Sequence, residues 1–165
     1  PFPSVMVILF ASSVTRMDFM FANATIFNQT LNSWNTAIAT NIYYMFSNAS
    51  AFNGNISSWN TSSVLNMSYM FSSATNFNQD ISSWDVNQVT DFTNFLQNNT
   101  ALSTANYNKL LHHWHADDPL DSKAFHGGDA TTDSSSGGVD GTAARAALVL
   151  ATGSGGDGWT ITDGD

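Results

Sequence analysis

The chain has 165 residues and a formal charge of −9, with 13 acidic side chains, all of them Asp, against four Lys or Arg and no Cys. So few cations cannot neutralise a run of phosphates, which excludes nucleic acid as a partner. The missing cysteines remove disulfides, thiolate zinc sites and thiol catalysis. At 42% hydrophobic and 10% charged the chain is not a disordered acidic tail, while its wealth of Asn, Ser and Thr favours turns and caps over long helices.

In chain order, Val5 to Ala11 comes first: a short apolar run with no basic leader, well under the roughly 18 residues of a membrane span. Phe2, Met6 and Leu9 stand 25 residues before Phe27, Leu31 and Trp34, so this run reads as part of a repeat and the chain is expected to begin inside an array. The same step of 25 carries Met20-Phe21 to Met45-Phe46 and Met70-Phe71, with Phe95-Leu96 next. It carries Phe27-Asn28 to Phe52-Asn53 and Phe77-Asn78, and Trp34 to Trp59 and Trp84. Leu31, Ile56 and Ile81 keep it too, as do Met17, Ile42, Met67 and Phe92. The register ends after Leu102, because Lys109 stands where the next Trp would be.

Two periodicities alternate inside one unit. Val64, Met67, Met70 and Phe71 fall on one face of a short helix, and Phe77 to Trp84 reads as turn, short strand and turn with Ile81 and Trp84 inward. Some seven buried large side chains per unit yield about 10–20 kcal/mol gross. Ordering 25 residues costs at least as much. Single units are therefore unstable alone, and stacking is what buries their faces. Asn28, Asn53 and Asn78, with Asn23 and Asn48, read as buried ladders whose amides satisfy backbone groups at each corner. Of the glycosylation sequons at Asn23, Asn28, Asn48, Asn55, Asn60, Asn66 and Asn98, the three on these ladders are expected to stay unmodified.

From Ala101 the composition changes: residues 101–165 hold nine of the Asp and all four His. Ala105 to Trp114 carries Tyr107, Leu110, Leu111 and Trp114 at helical spacing. Gly127 to Gly141 is a Gly, Ser, Asp and Thr loop, Thr142 to Leu150 an Ala-rich helix, and Trp159 to Thr162 a short strand. The two parts divide the chain into residues 1–100, a repeat solenoid, and 101–165, a capping module that covers the last unit.

The unit Val64-x2-Met67-x2-Met70-Phe71-x5-Phe77-Asn78-x2-Ile81-x2-Trp84-Asp85 resembles the repeat of the BspA-like leucine-rich repeat surface proteins, which is also found in mycoplasma lipoproteins. Leu102-Ser103-x2-Asn106-Tyr107-x2-Leu110-Leu111-x2-Trp114 resembles the helix of that family's C-terminal module. Ile42 and Tyr44 in the second unit and the long acidic loop Asp129 to Gly141 depart from the pattern. The resemblance implies an α/β repeat fold: a leucine-rich-repeat-like right-handed solenoid of about four 25-residue coils, each a short strand plus a short helix, with a C-terminal α+β cap. It also implies a place at the cell surface or outside the cell, and a role in adhesion.

Residue type bears on three chemistries. His112, His113 and His115 with Asp117, Asp118, Asp121 and His126 carry metal-ligating groups, but adjacent His residues on a helix point to different faces. The Asp-rich loop lacks a D-x-D-x-D-G calcium pattern. No nucleophile, base and acid stand together in sequence, so no catalytic activity and no cofactor are expected. The expectation is a monomeric recognition or adhesion module that binds protein or glycan through Asn55, Ser57, Ser58, Asp80, Ser82 and Ser83 on the solenoid's outer face, with contacts summed by avidity. The rival is a purely structural spacer that projects another domain; an ice- or mineral-binding face built on the Ser rows is a weaker third.

Overall fold

The computed structural model describes residues 14–117, 123–149 and 159–164. Phe2, Met6, Leu9, Asp118, Asp121 and Leu150 lie outside them.

The 25-residue period is a spatial register. Single parallel bridges join Arg16 to Asn41, Asn41 to Asn66, and Asn66 to Asp91. From each bridge onward every second amide donates to the next repeat. Met17, Phe19, Phe21 and Asn23 N–H donate to the carbonyls of Asn41, Tyr43, Met45 and Ser47 at 2.8–3.2 Å. The pattern recurs from Ile42, Tyr44, Phe46 and Asn48 to Asn66, Ser68, Met70 and Ser72. It recurs again from Met67, Tyr69, Phe71 and Ser73 to Asp91, Thr93, Phe95 and Gln97.

This pairing displaces the helix expected over Val64 to Phe71, which is instead a run of turns. An α-helix spends its amides on its own carbonyls, whereas here alternate amides leave for the neighbouring repeat. Intervening amides close tight turns, as Met70 N–H does to Met67 C=O and Ser72 N–H to Tyr69 C=O. Closing them requires left-handed backbone at two residues per repeat: Phe19 and Asn23, Tyr44 and Asn48, Tyr69 and Ser73, Asn94 and Asn98, all with φ between 53° and 62°. The strand expected within Phe77 to Trp84 is likewise irregular backbone. Parallel pairing falls instead at residues 41, 66 and 91. Ile81 and Trp84 do point inward and are buried.

Identical side chains stack across the register. The rings of Phe21, Phe46 and Phe71 lie 5.4 and 5.6 Å apart. Phe27, Phe52 and Phe77 follow at 5.9 and 6.0 Å, and Trp34, Trp59 and Trp84 at 6.5 and 6.0 Å. The two buried indoles of this row keep partners: Trp59 Nε1 donates to Leu31 C=O and Trp84 Nε1 to Ile56 C=O.

The corner ladder works as a row of acceptors. Asn28 Oδ1 takes the Asn53 amide at 2.8 Å, Asn53 Oδ1 that of Asn78 at 2.9 Å, and Asn78 Oδ1 that of Ser103 at 2.9 Å. Asn48 Nδ2 donates to Asn23 Oδ1. The ladders are not buried, however: Asn23, Asn28, Asn48 and Asn53 are exposed. Their place at the rim is a correction to the reading that hid their sequons.

The C-terminal segment is built on helices. α1 (Thr104–Asp117) starts at Ser103, whose Oγ accepts the Asn106 amide in N-cap fashion. It buries Tyr107, Leu110, Leu111 and Trp114. β1 (Ala124–His126) pairs in parallel with β2 (Thr160–Thr162), with Phe125 opposite Ile161. α2 (Gly141–Val149) lies between them in sequence, its first turn capped by Asp140 Oδ1 on the Ala143 amide. The register passes into this segment: Phe92 bridges Phe125 in parallel, and Leu96 N–H donates to His126 C=O. The aromatic core is therefore continuous, from the Phe rows to Phe92, Phe95, Trp114, Phe125 and Trp159.

Candidate functional site

The six residues expected to face a ligand do share one region in register; Asn55, Ser58 and Ser83 are exposed, yet many of the six residues' polar atoms are bonded within the array. Asn55 Oδ1 accepts both the amide and the hydroxyl of Ser57, at 2.9 Å each. Asp80 Oδ1 takes the amide and hydroxyl of Ser82 at 3.1 and 2.7 Å. Ser58 Oγ donates to Asn32 C=O, and Ser83 Oγ to Ser57 C=O one repeat back. Asp80 Oδ2 pairs with Lys109 Nζ at 3.0 Å, tying α1 to the third repeat. Burial works against the Asp80 charge, but the Ser82 hydroxyl and Lys109 outweigh it and hold its pKa below the ordinary carboxylate value.

Ser82 needs a correction. It is 9% exposed, with its hydroxyl folded onto Asp80, because the turn at Asp80 curls its side chain inward. It is not an outward residue, and an Asp there would face the Asp80 carboxylate.

These bonds follow one local rule. Asn or Asp accepts the amide two residues on, an Asx turn, at Asn35, Asn41, Asn55, Asn60, Asn66, Asp80, Asp85 and Asp91. The Asn and Ser richness thus serves the array's backbone first.

A different row faces solvent. Phe19 stacks on Tyr44 at 5.0 Å, Tyr44 stacks on Tyr69 at 4.4 Å, and Tyr43 meets Phe19 edge-on at 4.9 Å. Phe19 is 49% exposed and the three tyrosines are partly so. Phe19, Tyr44 and Tyr69 are three of the left-handed residues, a conformation that costs a bulky side chain about 1–2 kcal/mol. Ring stacking returns about 0.5–1.5 kcal/mol per pair. Burial, with Tyr69 and Tyr43 close by, raises the Tyr44 pKa above its ordinary value. Arg16 Nε and Nη2 hold both oxygens of Asp18 beside the row, at 3.0 and 3.1 Å, and the Arg16 hydrogen bond lowers the Asp18 pKa. The result is a neutral strip of ring edges and hydroxyls next to one compensated ion pair. Its signal was in the sequence, as Phe19, Tyr44 and Tyr69 are 25 apart, but these positions were hidden inside an expected helix.

The histidines do not converge. His112 and His113 are both exposed, with rings 5.7 Å apart and perpendicular. Among the described residues no three His or Asp groups come together as metal ligands.

Repeats that exchange backbone hydrogen bonds and stack like on like define a repeat protein. Residues 10–116 match the family described as Mycoplasma protein of unknown function, DUF285, and the chain belongs to it. The match takes in the described repeats and nearly all of α1. No curated protein and no solved structure matches the chain. Among the described residues, no helix is long and apolar enough to cross a membrane.

Proposed function

We propose that the chain is a non-enzymatic recognition module of the BspA-like, leucine-rich-repeat-like class, a right-handed solenoid with a C-terminal cap that works at the cell surface or outside the cell. It acts as a monomer, requires no cofactor, and binds protein or glycan. The observation that carries this reading is the surface row Phe19, Tyr43, Tyr44 and Tyr69, three of whose members sit on costly left-handed backbone. Asn fills the same position at Asn94 and adopts that conformation more easily, so the rings are not demanded by the turn. Tyr is favoured at interfaces because it offers a large rigid body and a hydroxyl at little entropic cost. A neutral strip suits sugar hydroxyls and peptide groups better than phosphates or sulfates, which the net charge of −9 repels.

The test is retention of a multimerised chain on a glycan array and on extracellular-matrix proteins, compared with the Tyr44→Ala/Tyr69→Ala double variant. Binding that falls at least tenfold in the variant supports the reading. No retention, or retention indifferent to the substitutions, overturns it. The spacer reading has its own support in the hydroxyls of Ser57, Ser58, Ser82 and Ser83, all bonded within the array, and it is what a wild type without retention would leave standing.

A further inference from the structure

The exposed aromatic row stops before the array does. Phe19, Tyr44 and Tyr69 stand 25 apart, and the same position one repeat on is Asn94. The rings of Tyr44 and Tyr69 stack at 4.4 Å with their planes 11° apart, so one face of Tyr69 is covered by its neighbour. On its other side the fourth ring is missing: among the described residues Tyr69 meets no aromatic side chain but Tyr44. The backbone does not account for the change. Asn94 keeps the left-handed conformation of Tyr69, with φ of 53° against 56°, and Tyr69 N–H donates to Thr93 C=O, so the two repeats are in register here. Asn is much shorter than Tyr and leaves a step in the row, and both side chains are partly exposed.

The Asn94 side chain is also unspent. Most Asn side chains of the array are bonded within it, as Asn48 is to Asn23 and Asn98 to Ser73, whereas that of Asn94 makes no hydrogen bond among the described residues. Two N–H donors and an acceptor therefore lie beside an open ring face. The charge in this part of the row is negative. Asp91, three residues before Asn94, accepts the Thr93 amide through Oδ1 at 2.9 Å and Asn66 Nδ2 through Oδ2 at 3.4 Å, with no cation paired to it among the described residues.

These features select a ligand. A sulfated, phosphorylated or sialylated group is repelled by Asp91 and finds no cation. An aromatic side chain of a protein partner would stack on Tyr69 but leave the Asn94 amide without a partner. A neutral pyranose satisfies both. Its face of C–H groups carries the slight positive charge that the negative face of the Tyr69 ring attracts, and its rim of hydroxyls exchanges hydrogen bonds with the amide.

We infer that the step between Tyr69 and Asn94 is a subsite for one neutral sugar residue, which takes the place of the missing ring; this rests on the reading of the row as a recognition surface. The probes are neutral oligosaccharides of glucose, mannose and N-acetylglucosamine, with sulfated and sialylated ones for comparison, titrated onto the full chain and followed by NMR. Binding of a neutral sugar is expected, with upfield ring-current shifts confined to the C–H protons on one face of one residue. Tyr69→Ala removes the platform and should abolish both, whereas Tyr69→Trp keeps a ring and should retain them. Asn94→Gly suits the left-handed backbone, so it should melt like wild type. It leaves the ring face open but removes the amide, and should lower affinity about tenfold. Absent binding of every neutral sugar, equal binding of the sulfated ones, shifts without a facial bias, or an affinity indifferent to Asn94→Gly overturns the subsite. A multimerised chain that holds a matrix protein through Tyr44 and Tyr69 but holds no sugar removes the subsite and leaves the recognition reading in place; a chain that retains nothing removes both.

Discussion

The repeats and the C-terminal segment reach a buried core by different chemistry. In residues 14–103 the backbone is satisfied across the register, by amides 24 residues apart and chiefly by neutral Asn, Ser and Thr side chains, with Asp80, Asp85 and Asp91 closing local turns. The segment from Thr104 onward satisfies its backbone inside helices and is pinned by charges. Arg145 grips both oxygens of Asp163 at 2.8 Å, and the Tyr107 hydroxyl donates to Asp163 at 2.6 Å, joining α2, α1 and the end of β2. The Asp163 side chain is fully buried. A register repeated four times spreads its stability over many small bonds, whereas a segment without repetition concentrates it in a few.

The largest effect is expected where the repeats bury like on like. Met70→Asp or Phe77→Asp inserts an unpaired charge into a site with no solvent and no cation. Each should abolish the cooperative melt followed by circular dichroism, because neighbouring repeats lose their stacking surface together. Asn76→Asp, on the exposed side of the same turn, should melt within about 0.5 kcal/mol of wild type. Equal behaviour of the three would remove the inward–outward assignment on which the repeat register rests.

Next in size is the ion pair. Arg145→Met strands the buried Asp163 carboxylate, an event that costs about 3–5 kcal/mol. Hydrogen exchange should rise first in α2 and β2, with the amides of Ile42 to Asn48 still protected. If the repeats lose protection at the same rate, the two regions are one cooperative unit and the contrast drawn above fails.

Asn99 marks the seam between them. It occupies the position held by Ala24, Ala49 and Ala74 in the repeats. Its amide donates to the carbonyls of Ala74 and Phe77, at 2.9 and 3.0 Å, and accepts from the amides of Ala101 and Leu102. All four of its bonding sites are filled in a residue 1% exposed. Asn99→Leu leaves buried backbone groups without partners, for a loss of about 2–3 kcal/mol; urea unfolding measures it. A loss under about 0.5 kcal/mol would mean that water replaces the amide and that the seam is not sealed.

How much of this was legible depended on what each residue's environment had to decide. The inward set of Phe, Trp, Met and Ile was readable because apolar burial needs only a period, and 25 is unambiguous. α1 and α2 were readable because their bonds are local. The helix expected at Val64 to Phe71 failed for the opposite reason: i, i+3, i+6, i+7 spacing also describes tight turns whose amides leave for a neighbour. Nothing in one unit says that its hydrogen bonds are long-range. One position of the candidate face failed in the same way. Ser82 looks outward by alternation along a strand, but its hydroxyl serves the Asx turn at Asp80, a choice made by a carboxylate two residues away. The aromatic row at Phe19, Tyr44 and Tyr69 was periodic and visible, yet a left-handed backbone under a bulky ring is not something propensity suggests.

The smallest expected effect separates the regions by pH. The loop 131–141, which composition alone gave little reason to fold, is held by Asp133. Its carboxylate accepts the Ser136 hydroxyl and the Ser136 and Ser135 amides, and it receives Asn108 Nδ2 from α1 at 2.8 Å. The Ser136 hydroxyl is the leading cause, and with the two amides it holds the Asp133 pKa well below the usual carboxylate value. A carboxylate whose folded pKa is depressed contributes its stability above the unfolded pKa, about 3.9, and loses it as pH falls through the folded value. The protection of the Ser135 and Ser136 amides, taken against the intrinsic exchange rate at each pH, should therefore fall progressively below about pH 4. In Asp133→Asn that protection should be low and should not change with pH over the same range. The repeats supply an internal reference: their ladder of neutral Asn acceptors does not titrate, so the Asn53 and Asn78 amides should show no protonation-linked change there. A simultaneous acid response in both places would mean that the loop reports global unfolding, and that its order depends on the array as a whole rather than on Asp133.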